Sequence, residues 1–324
     1  MFDITTIPIQ QIELQHIDFE DKLYQISEQK NCRLLCQSIQ NIGMMHPPLF
    51  QAMDSKYRVV SGFMRIFACQ EIGMKTIPGR VVQSDISDYD CAKWAVTDNI
   101  IQRSLSPLEQ SRALTLIEKT MPETMSLQTL TLQLGLPSTS KAIQHIKPLC
   151  HMPKFIQMGI AKEYIAIPIA RELVHLSEND ALSIVKIFKQ LNPGLNIQRE
   201  LLLTCDEISK RDNKSVKDLL GSDAVMTILT DFSDDRKQCI HQIREHFKRL
   251  RYPNFTKIKD RVASGIKHLK LNKQTKLIPP LFFESNTWNL QIIFKNSSEL
   301  EHCLSDLLSR TKAINTIIEQ DTQL

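Results

Sequence analysis

Glycine is scarce in this chain of 324 residues, which contains nine glycines where average usage would give about 23. No two glycines lie four or five residues apart, and the pattern GxGxxG is absent. Phosphate-binding P-loops, nucleophile elbows and dinucleotide-binding turns each need one of these spacings. The sequence therefore excludes Walker-type nucleotide hydrolysis, Rossmann dinucleotide binding and GxSxG hydrolase chemistry.

Closely paired metal ligands and long apolar runs are also lacking. The eight cysteines form no CxxC pair, and HExxH is absent, so we predict no metal site and free thiols in a reducing compartment. The first residues contain Asp3 and no basic segment, and no run of 18 apolar residues occurs. We expect a soluble, cytoplasmic protein with no signal peptide and no membrane partner.

Charge is unevenly distributed along the chain. The net charge is +4, but residues 236–276 contain 13 lysines and arginines against two acidic residues, a local balance of +11 that leaves −7 for the remainder. A concentrated basic segment on a mildly acidic protein favours a polyanionic partner. The alternative, a solvated helical face without a partner, stays open at this point.

The hydrophobic pattern predicts an α+β protein that is mostly helical. Strands are expected at 4–12, 48–52, 57–60 and 77–82, with a hairpin turn at 54–56 and with helices at 34–42 and 63–72. From residue 84 to about 250 the pattern is helical. Near the end, β-rich runs at 277–283 and 288–294 flank residues 284–286, and one amphipathic helix is expected at 298–318.

We predict four segments from these patterns. Residues 1–105 form a small α/β domain, 106–212 a helical domain, 213–276 a basic helical segment, and 277–324 a small β/α domain. In the last segment, alternating apolar residues of a strand and the leucines of the terminal helix would leave an apolar face that needs a partner. A second copy of the chain is the commonest solution, although packing of the strand and helix on each other remains an alternative.

A strand-turn-helix passage, Arg58–Ala68, contains the first candidate site. Gly62 at the turn would let the backbone approach a ligand closely, and Arg65 on the first helical turn would add a fixed fork for phosphate oxygens. A purely structural glycine with a surface arginine explains the same residues.

A second passage, Asp98–Glu109, places a carboxylate, a carboxamide and an arginine at one helix end. All three, Asp98, Asn99 and Arg103, would face the first passage across a pocket. The alternative is that these residues only end one helix and begin the next, since Ser106 and Glu109 form a capping-box pattern with Pro107 at the first helical position.

The third passage, 126–146, has the pattern of a helix-turn-helix. Apolar positions in the first helix, a turn at Gly135 and a polar second helix are typical of this unit, which also occurs in proteins that do not bind DNA. If it binds DNA, its hydrogen-bonding side chains would reach phosphates and base edges: Ser138, Thr139, Ser140, Lys141 and Gln144.

Taken in order, these passages resemble the ParB family of chromosome and plasmid partition proteins. The likeness includes SIQNIGMMHPPL, YRVVSGFMRIFA, LSPLEQ and the helix-turn-helix, at the spacing that the family's SIxxxGxxxPxxV and GERRxRA patterns have. It covers about residues 1–210. The resemblance implies a small α/β clamp domain, a helix-turn-helix DNA-binding domain and a C-terminal dimerisation domain.

The resemblance also implies ligands, and the sequence departs from the family pattern at that point. Members bind a centromere-like DNA site, and many bind CTP with magnesium. The GERRxRA pattern keeps Gly62, Arg65 and Ala68 but loses two arginines and an acidic residue. The ENxQR pattern keeps Asn99 and displaces its arginine to Arg103. Because each lost charge-assisted hydrogen bond costs about 1.5–3 kcal/mol, we expect weak nucleotide binding without fast turnover.

The sequence thus predicts a dimeric DNA-binding protein of partition or regulatory type, associated with a nucleoid or plasmid. The basic segment would add phosphate contacts through Lys248, Arg249 and Arg251. A partition ATPase is a further partner that the resemblance implies. The alternative is a CTP-hydrolysing clamp or another nucleotide-dependent enzyme of the same fold; no catalytic residue is assigned.

Overall fold

The computed structural model describes residues 4–28, 32–280 and 287–321. It confirms a mostly helical α+β protein. The chain divides into two compact units, Met1–Leu195 and Asn196–Leu324. The expected boundary at residue 105 lies inside the first unit and that at 212 inside the second.

A five-stranded mixed sheet forms one part of the first unit. Its strands are β1 (Ile9–Glu13), β2 (Ile17–Asp18), β3 (Leu49–Ala52), β4 (Tyr57–Ser61) and β5 (Thr76–Val82). Their order is β1-β5-β3-β4-β2, with β3 and β4 antiparallel as the predicted hairpin requires. The expected first strand is shorter, because residues Ile4–Thr6 form a 3-10 turn. The two-residue strand β2 is too short for a sequence pattern to indicate.

Nine α-helices lie in the described part of this unit. They are α1 (Arg33–Ile42), α2 (Phe63–Glu71), α3 (Asp88–Gln102), α4 (Pro107–Thr120), α5 (Leu127–Gln133), α6 (Ser140–Ile146), α7 (Lys154–Ala161), α8 (Ile167–Leu173) and α9 (Glu178–Leu191). Helix α4 begins with the predicted capping box, in which the Ser106 side chain and the Glu109 side chain satisfy each other's backbone N–H groups. Gly43 ends α1 with a positive φ, a conformation that glycine adopts without steric cost.

One hydrophobic core continues from the α/β part into the helix-turn-helix. It contains Val96 of α3, Leu114 of α4, Leu130 of α5 and Ile143 of α6, all buried. A separate core, which includes Phe50 and other buried sheet residues, lies under α1 and α2. Since α3 and α4 share the first core with α5 and α6, the helix-turn-helix is fixed relative to the α/β part within this unit.

The second unit contains seven helices with assigned bounds and a two-stranded sheet. Its elements are α10 (Leu195–Asp212), α11 (Val216–Leu220), α12 (Asp223–Asp231), α13 (Arg236–Arg251), α14 (Pro253–His268), β6 (Thr275–Ile278), β7 (Asn289–Ile292), α15 (Ser297–Ser309) and α16 (Thr311–Asp321). Strands β6 and β7 pair antiparallel. Residues 281–286, which include part of the expected strand 277–283 and the connecting segment 284–286, lie outside the described residues.

The expected single helix at 298–318 is wrong: two helices, α15 and α16, meet at Arg310. The Arg310 guanidinium pairs with Asp306 at 2.8 Å and also donates to the carbonyl of Leu269. The break allows α16 to pack on α14, where Ile317 joins the small core formed by Val262 and Leu269. Tertiary packing thus overrides a continuous helical pattern.

Among the described helices, none is both long and apolar enough to span a membrane.

Candidate functional site

The two polar passages meet at one cavity of about 300 Å³ in the first unit. Gly62, Arg65, Asn99 and Arg103 all line it. The other lining residues are Ile26, Ser27, Leu35, His46, Phe63, Met64, Asp98 and Gln102. The four predicted residues are therefore together in space, and Ser27 and Leu35 are wall residues that the sequence reasoning missed, because they come from a loop and a helix far away in the chain.

Gly62 is required by its surroundings as well as by its backbone. Its φ is +91°, and a Cβ atom built there would lie 2.9 Å from Cβ of Pro48. Gly62 is also the N-cap residue of α2 and has no side chain to satisfy the first N–H groups of that helix. The close approach of Pro48 therefore explains why glycine stands at position 62, whether or not a ligand binds.

Arg65 is fixed by partners on both sides. Its guanidinium donates to Oδ2 of Asp98 at 2.7 Å and to the carbonyl of His46 at 2.5 Å. The second oxygen of Asp98 accepts from Gln102 Nε2 at 2.7 Å. The arginine that the family pattern retains is therefore already paired with a carboxylate of the same cavity.

Arg103 forms a two-pronged ion pair with Glu109. Its two terminal nitrogens lie 2.6 and 2.7 Å from the two carboxylate oxygens, and Nη2 also donates to Ser27 Oγ at 2.9 Å. The Glu109 side chain is only 2% exposed. Burial alone would raise the pKa of Glu109, but hydrogen bonds from Arg103 and Ser106 outweigh it and lower that pKa from 4.5 to about 2.

Asn99 links the wall of the cavity to the loop before α1. Its Oδ1 accepts from Ser27 Oγ at 2.8 Å, and its Nδ2 donates to the carbonyl of Ala95 at 2.8 Å. The amide is thus held at both ends. This gives Asn99 a positioning role in the wall, in addition to the ligand contact that the resemblance implies.

These contacts test whether CTP with magnesium fits the cavity. Within the described part of the chain, the two arginines of the wall are both ion-paired, and the lining carboxylate, Asp98, is bonded through both oxygens. Removing Arg103 from Glu109 would leave a buried, uncompensated carboxylate, which typically costs about 3–5 kcal/mol. The residues present therefore do not fit a magnesium triphosphate without breaking existing pairs.

The helix-turn-helix exposes the side chains that the sequence analysis singled out. Thr139, Ser140, Lys141 and Gln144 are exposed, and Ser138 is half-buried. Thr139 is the N-cap of α6 and accepts the N–H of Ala142 at 3.2 Å. Its hydroxyl proton stays available as a donor. The turn contains Gly135 at φ +71°, as predicted for this unit.

A groove of about 550 Å³ adjoins α6, the second helix of the helix-turn-helix. Its wall contains Gln144, Pro148, His151, Met152, Pro168, Arg171, Glu172, Val174 and His175. Arg171 and His175 come from α8 and the turn after it, 27 or more residues from Gln144 along the chain. The sequence reasoning missed them because no local pattern connects the two segments.

In the second unit, the three predicted phosphate-binding residues differ in their surroundings. Lys248 and Arg249 are exposed on α13. Arg251 instead contacts Glu207 at 2.5 Å and lies over the ring of Tyr252, 5.1 Å from its centroid. Of the three, Lys248 and Arg249 are the better placed to meet a polyanion.

Comparison with known proteins shows that part of this chain matches one protein family and that several proteins are similar to it. Residues 3–100 match the family described as ParB N-terminal domain. A probable chromosome-partitioning protein ParB of Pseudomonas putida is 28% identical over 53% of this chain and 60% of its own length. A probable plasmid-partitioning protein ParB of Thermus thermophilus is 24% identical over 53% of this chain and 66% of its own length.

A nucleoid occlusion protein of Shouchella clausii is also similar, with 28% identity over 49% of this chain and 55% of that protein. The chain thus spans 55–66% of the length of these three curated relatives. The matched region includes most of the cavity lining, among it Gly62, Arg65 and Asn99, but it ends before Gln102 and Arg103. Residues 3–100 are therefore similar to the ParB N-terminal domain, which confirms the resemblance to the ParB family of partition proteins.

Proposed function

We propose that this chain binds a specific double-stranded DNA site as a homodimer and acts in plasmid or chromosome segregation or in transcriptional regulation. The helix-turn-helix that follows the ParB N-terminal domain carries this proposal. Its buried residues, among them Leu130 and Ile143, join the first core, while Lys141 and Gln144 are exposed. The relatives named for partition and nucleoid occlusion support the same biological role.

The geometry of α6 suits entry into a DNA groove. Hydroxyl groups cluster at its N-terminus, where helix N–H groups favour phosphate oxygens, and Lys141 and Gln144 extend from its exposed side. Arg171 and His175 in the neighbouring groove supply further donors toward the same partner. Selection of bound fragments from the host genome tests the proposal: it predicts enrichment of a site with two-fold symmetry, and recovery of random fragments would contradict it.

Lys141→Glu and Gln144→Ala are each expected to weaken binding to the selected site by about 1–3 kcal/mol, because base-edge and phosphate contacts are lost. The measurement is a fluorescence-anisotropy titration against the selected site and a scrambled duplex. Lys189→Glu, on the exposed side of α9, is the matched charge control. Parental affinity in both variants would show that α6 is not the recognition helix.

Exposed cations of α13 are expected to add affinity that does not depend on sequence. Neutralising Lys248 and Arg249 together as glutamines should reduce the slope of log affinity against log salt by about 2, since each phosphate contact contributes about 0.9. Helix α13 also contains buried Cys239, Ile243 and Phe247, so substitution is preferable to deletion. A Lys189→Gln, Lys210→Gln variant loses the same charge elsewhere, and an equal change of slope in that control would assign the effect to net charge alone.

The dimer is supported by apolar side chains in the second unit. Five large ones on and after β7 and on α15 are at least 44% exposed: Leu290, Ile293, Phe294, Leu304 and Leu308. Trp288, by contrast, packs within the chain against the core of α14 and α16. Packing within one chain therefore accounts for Trp288 and α16. The five exposed apolar side chains are left to contact a second copy of the chain.

Two further parts of the proposal rest on the resemblance. A partition ATPase as partner and a cytoplasmic location on a nucleoid or plasmid follow from the family and not from a contact in this structure. The alternative function, a CTP-hydrolysing clamp, is supported by the meeting of Gly62, Arg65, Asn99 and Arg103 at one cavity. The ion pairs of both arginines count against it.

A further inference from the structure

We propose that Asp98 and Glu109 act as internal anions that occupy Arg65 and Arg103, so that the cavity rejects nucleoside triphosphates and the chain binds DNA without one. The part that concerns DNA rests on the proposed function. The part that concerns the cavity stands on its contacts alone, and it makes Asp98 the residue that determines which ligands are excluded.

The Arg65–Asp98 pair is sheltered and cooperative with its neighbours. The side chains are 14% and 32% exposed, so water screens their attraction less than at an open surface. Asp98 is further fixed by Gln102, and Arg65 by the His46 carbonyl. A phosphate group that entered here would either compete with Asp98 for Arg65 or lie beside its negative charge.

The Arg103–Glu109 pair is held even more firmly. Glu109 accepts three hydrogen bonds, two from Arg103 and one from the Ser106 N–H at 2.9 Å. Because the Glu109 side chain also completes the capping box of α4 with Ser106, releasing Arg103 toward a ligand would disturb the start of a helix that packs in the first core. The Arg103–Glu109 pair is therefore costly to break in favour of a ligand.

The charges of the cavity consequently cancel. Two arginines are balanced by two carboxylates, and the remaining walls are apolar or uncharged, with Ile26, Leu35, Phe63 and Met64 among them. A triphosphate has several negative charges and finds no unpaired cation among the described lining side chains. An exchange of one carboxylate for a carboxamide of the same shape should therefore convert the cavity into an anion receptor.

The test is isothermal titration of the full chain with CTP and magnesium, without DNA. We expect no heat of binding at micromolar to low millimolar CTP for the parent, and at least tenfold tighter binding for Asp98→Asn, which leaves Arg65 without its carboxylate. Asp98→Glu should behave like the parent, because the charge is kept. Asp90→Asn, which breaks the 2.8 Å pair with Lys93 on the same helix outside the cavity, is the matched control.

Circular dichroism melting of each variant shows whether it is folded before titration. CTP binding by the parent anywhere in this concentration range, or no gain in Asp98→Asn, would overturn the proposal. A parallel titration of the selected DNA site with and without CTP should give the same affinity within twofold. Because the nucleotide titration contains no DNA, its result can be interpreted even if the DNA-binding proposal fails.

Discussion

Arg103→Ala is expected to lower the free energy of unfolding by about 3–5 kcal/mol, which is the range for a buried carboxylate that loses its partner. Glu109 is almost fully buried, and two of its three hydrogen bonds come from Arg103. Arg103 itself is 41% exposed, so the cost arises at the glutamate and not at the arginine. Urea denaturation of the parent and the variant at pH 7 measures the difference.

A second substitution separates this explanation from simple loss of packing. Glu109→Gln removes the buried charge, so the double variant Arg103→Ala, Glu109→Gln should be destabilised by less than the sum of the two single changes. If the effects of the two single changes on the free energy of unfolding are additive in the double variant, the ion pair contributes little. A loss of stability below 1 kcal/mol in Arg103→Ala would show the same.

The same pair predicts how stability depends on pH. In the folded parent, the pKa of Glu109 is lowered from 4.5 to about 2; its contribution, about 3 kcal/mol, is therefore complete above the unfolded pKa and is lost as pH falls from 4.5 toward 2. In Arg103→Ala, burial is no longer opposed by the guanidinium and should raise the pKa of Glu109. The stability gap between parent and variant should accordingly narrow from pH 6 to pH 3, and a constant gap would contradict the assignment.

Local signals predicted much of the fold correctly. Gly43 and Gly73 end helices in the left-handed region where glycine is favoured, and Ser106 and Glu109 form the capping box that their spacing indicates. These features depend on a few consecutive residues. For the same reason, the bounds of α4 and the turn of the helix-turn-helix were accessible from the sequence.

The chemistry of the cavity depends on contacts between distant residues, which local patterns do not contain. Arg65 meets Asp98 from 33 residues away, and Ser27 meets Asn99 from 72. The sequence placed Gly62, Arg65, Asn99 and Arg103 in one pocket through the family's spacing. It did not show that both arginines are neutralised. The break at Arg310 was missed for a related reason, since the packing of α16 on α14 is a tertiary effect.

A Leu304→Asp, Leu308→Asp variant is expected to weaken self-association at least about 1,000-fold. Each apolar side chain that leaves water contributes about 1.5–3 kcal/mol, and a two-fold interface counts each one twice. Leu308 is 75% exposed in the single chain, so the fold of the second unit should tolerate the change. One recognition helix reads too few base pairs to define a genomic site, and affinity for a two-fold site should therefore fall with the dimer.

Sedimentation velocity at micromolar concentration measures the self-association, with Met226→Asp as the matched control because Met226 is a similarly exposed apolar residue on α12. The parent and the control should sediment as dimers and the double variant as a monomer with an unchanged circular dichroism spectrum. A monomeric parent would remove the homodimer from the proposal. A double variant that remains dimeric would instead place the interface away from α15, because two carboxylates per protomer cannot be buried there without partners.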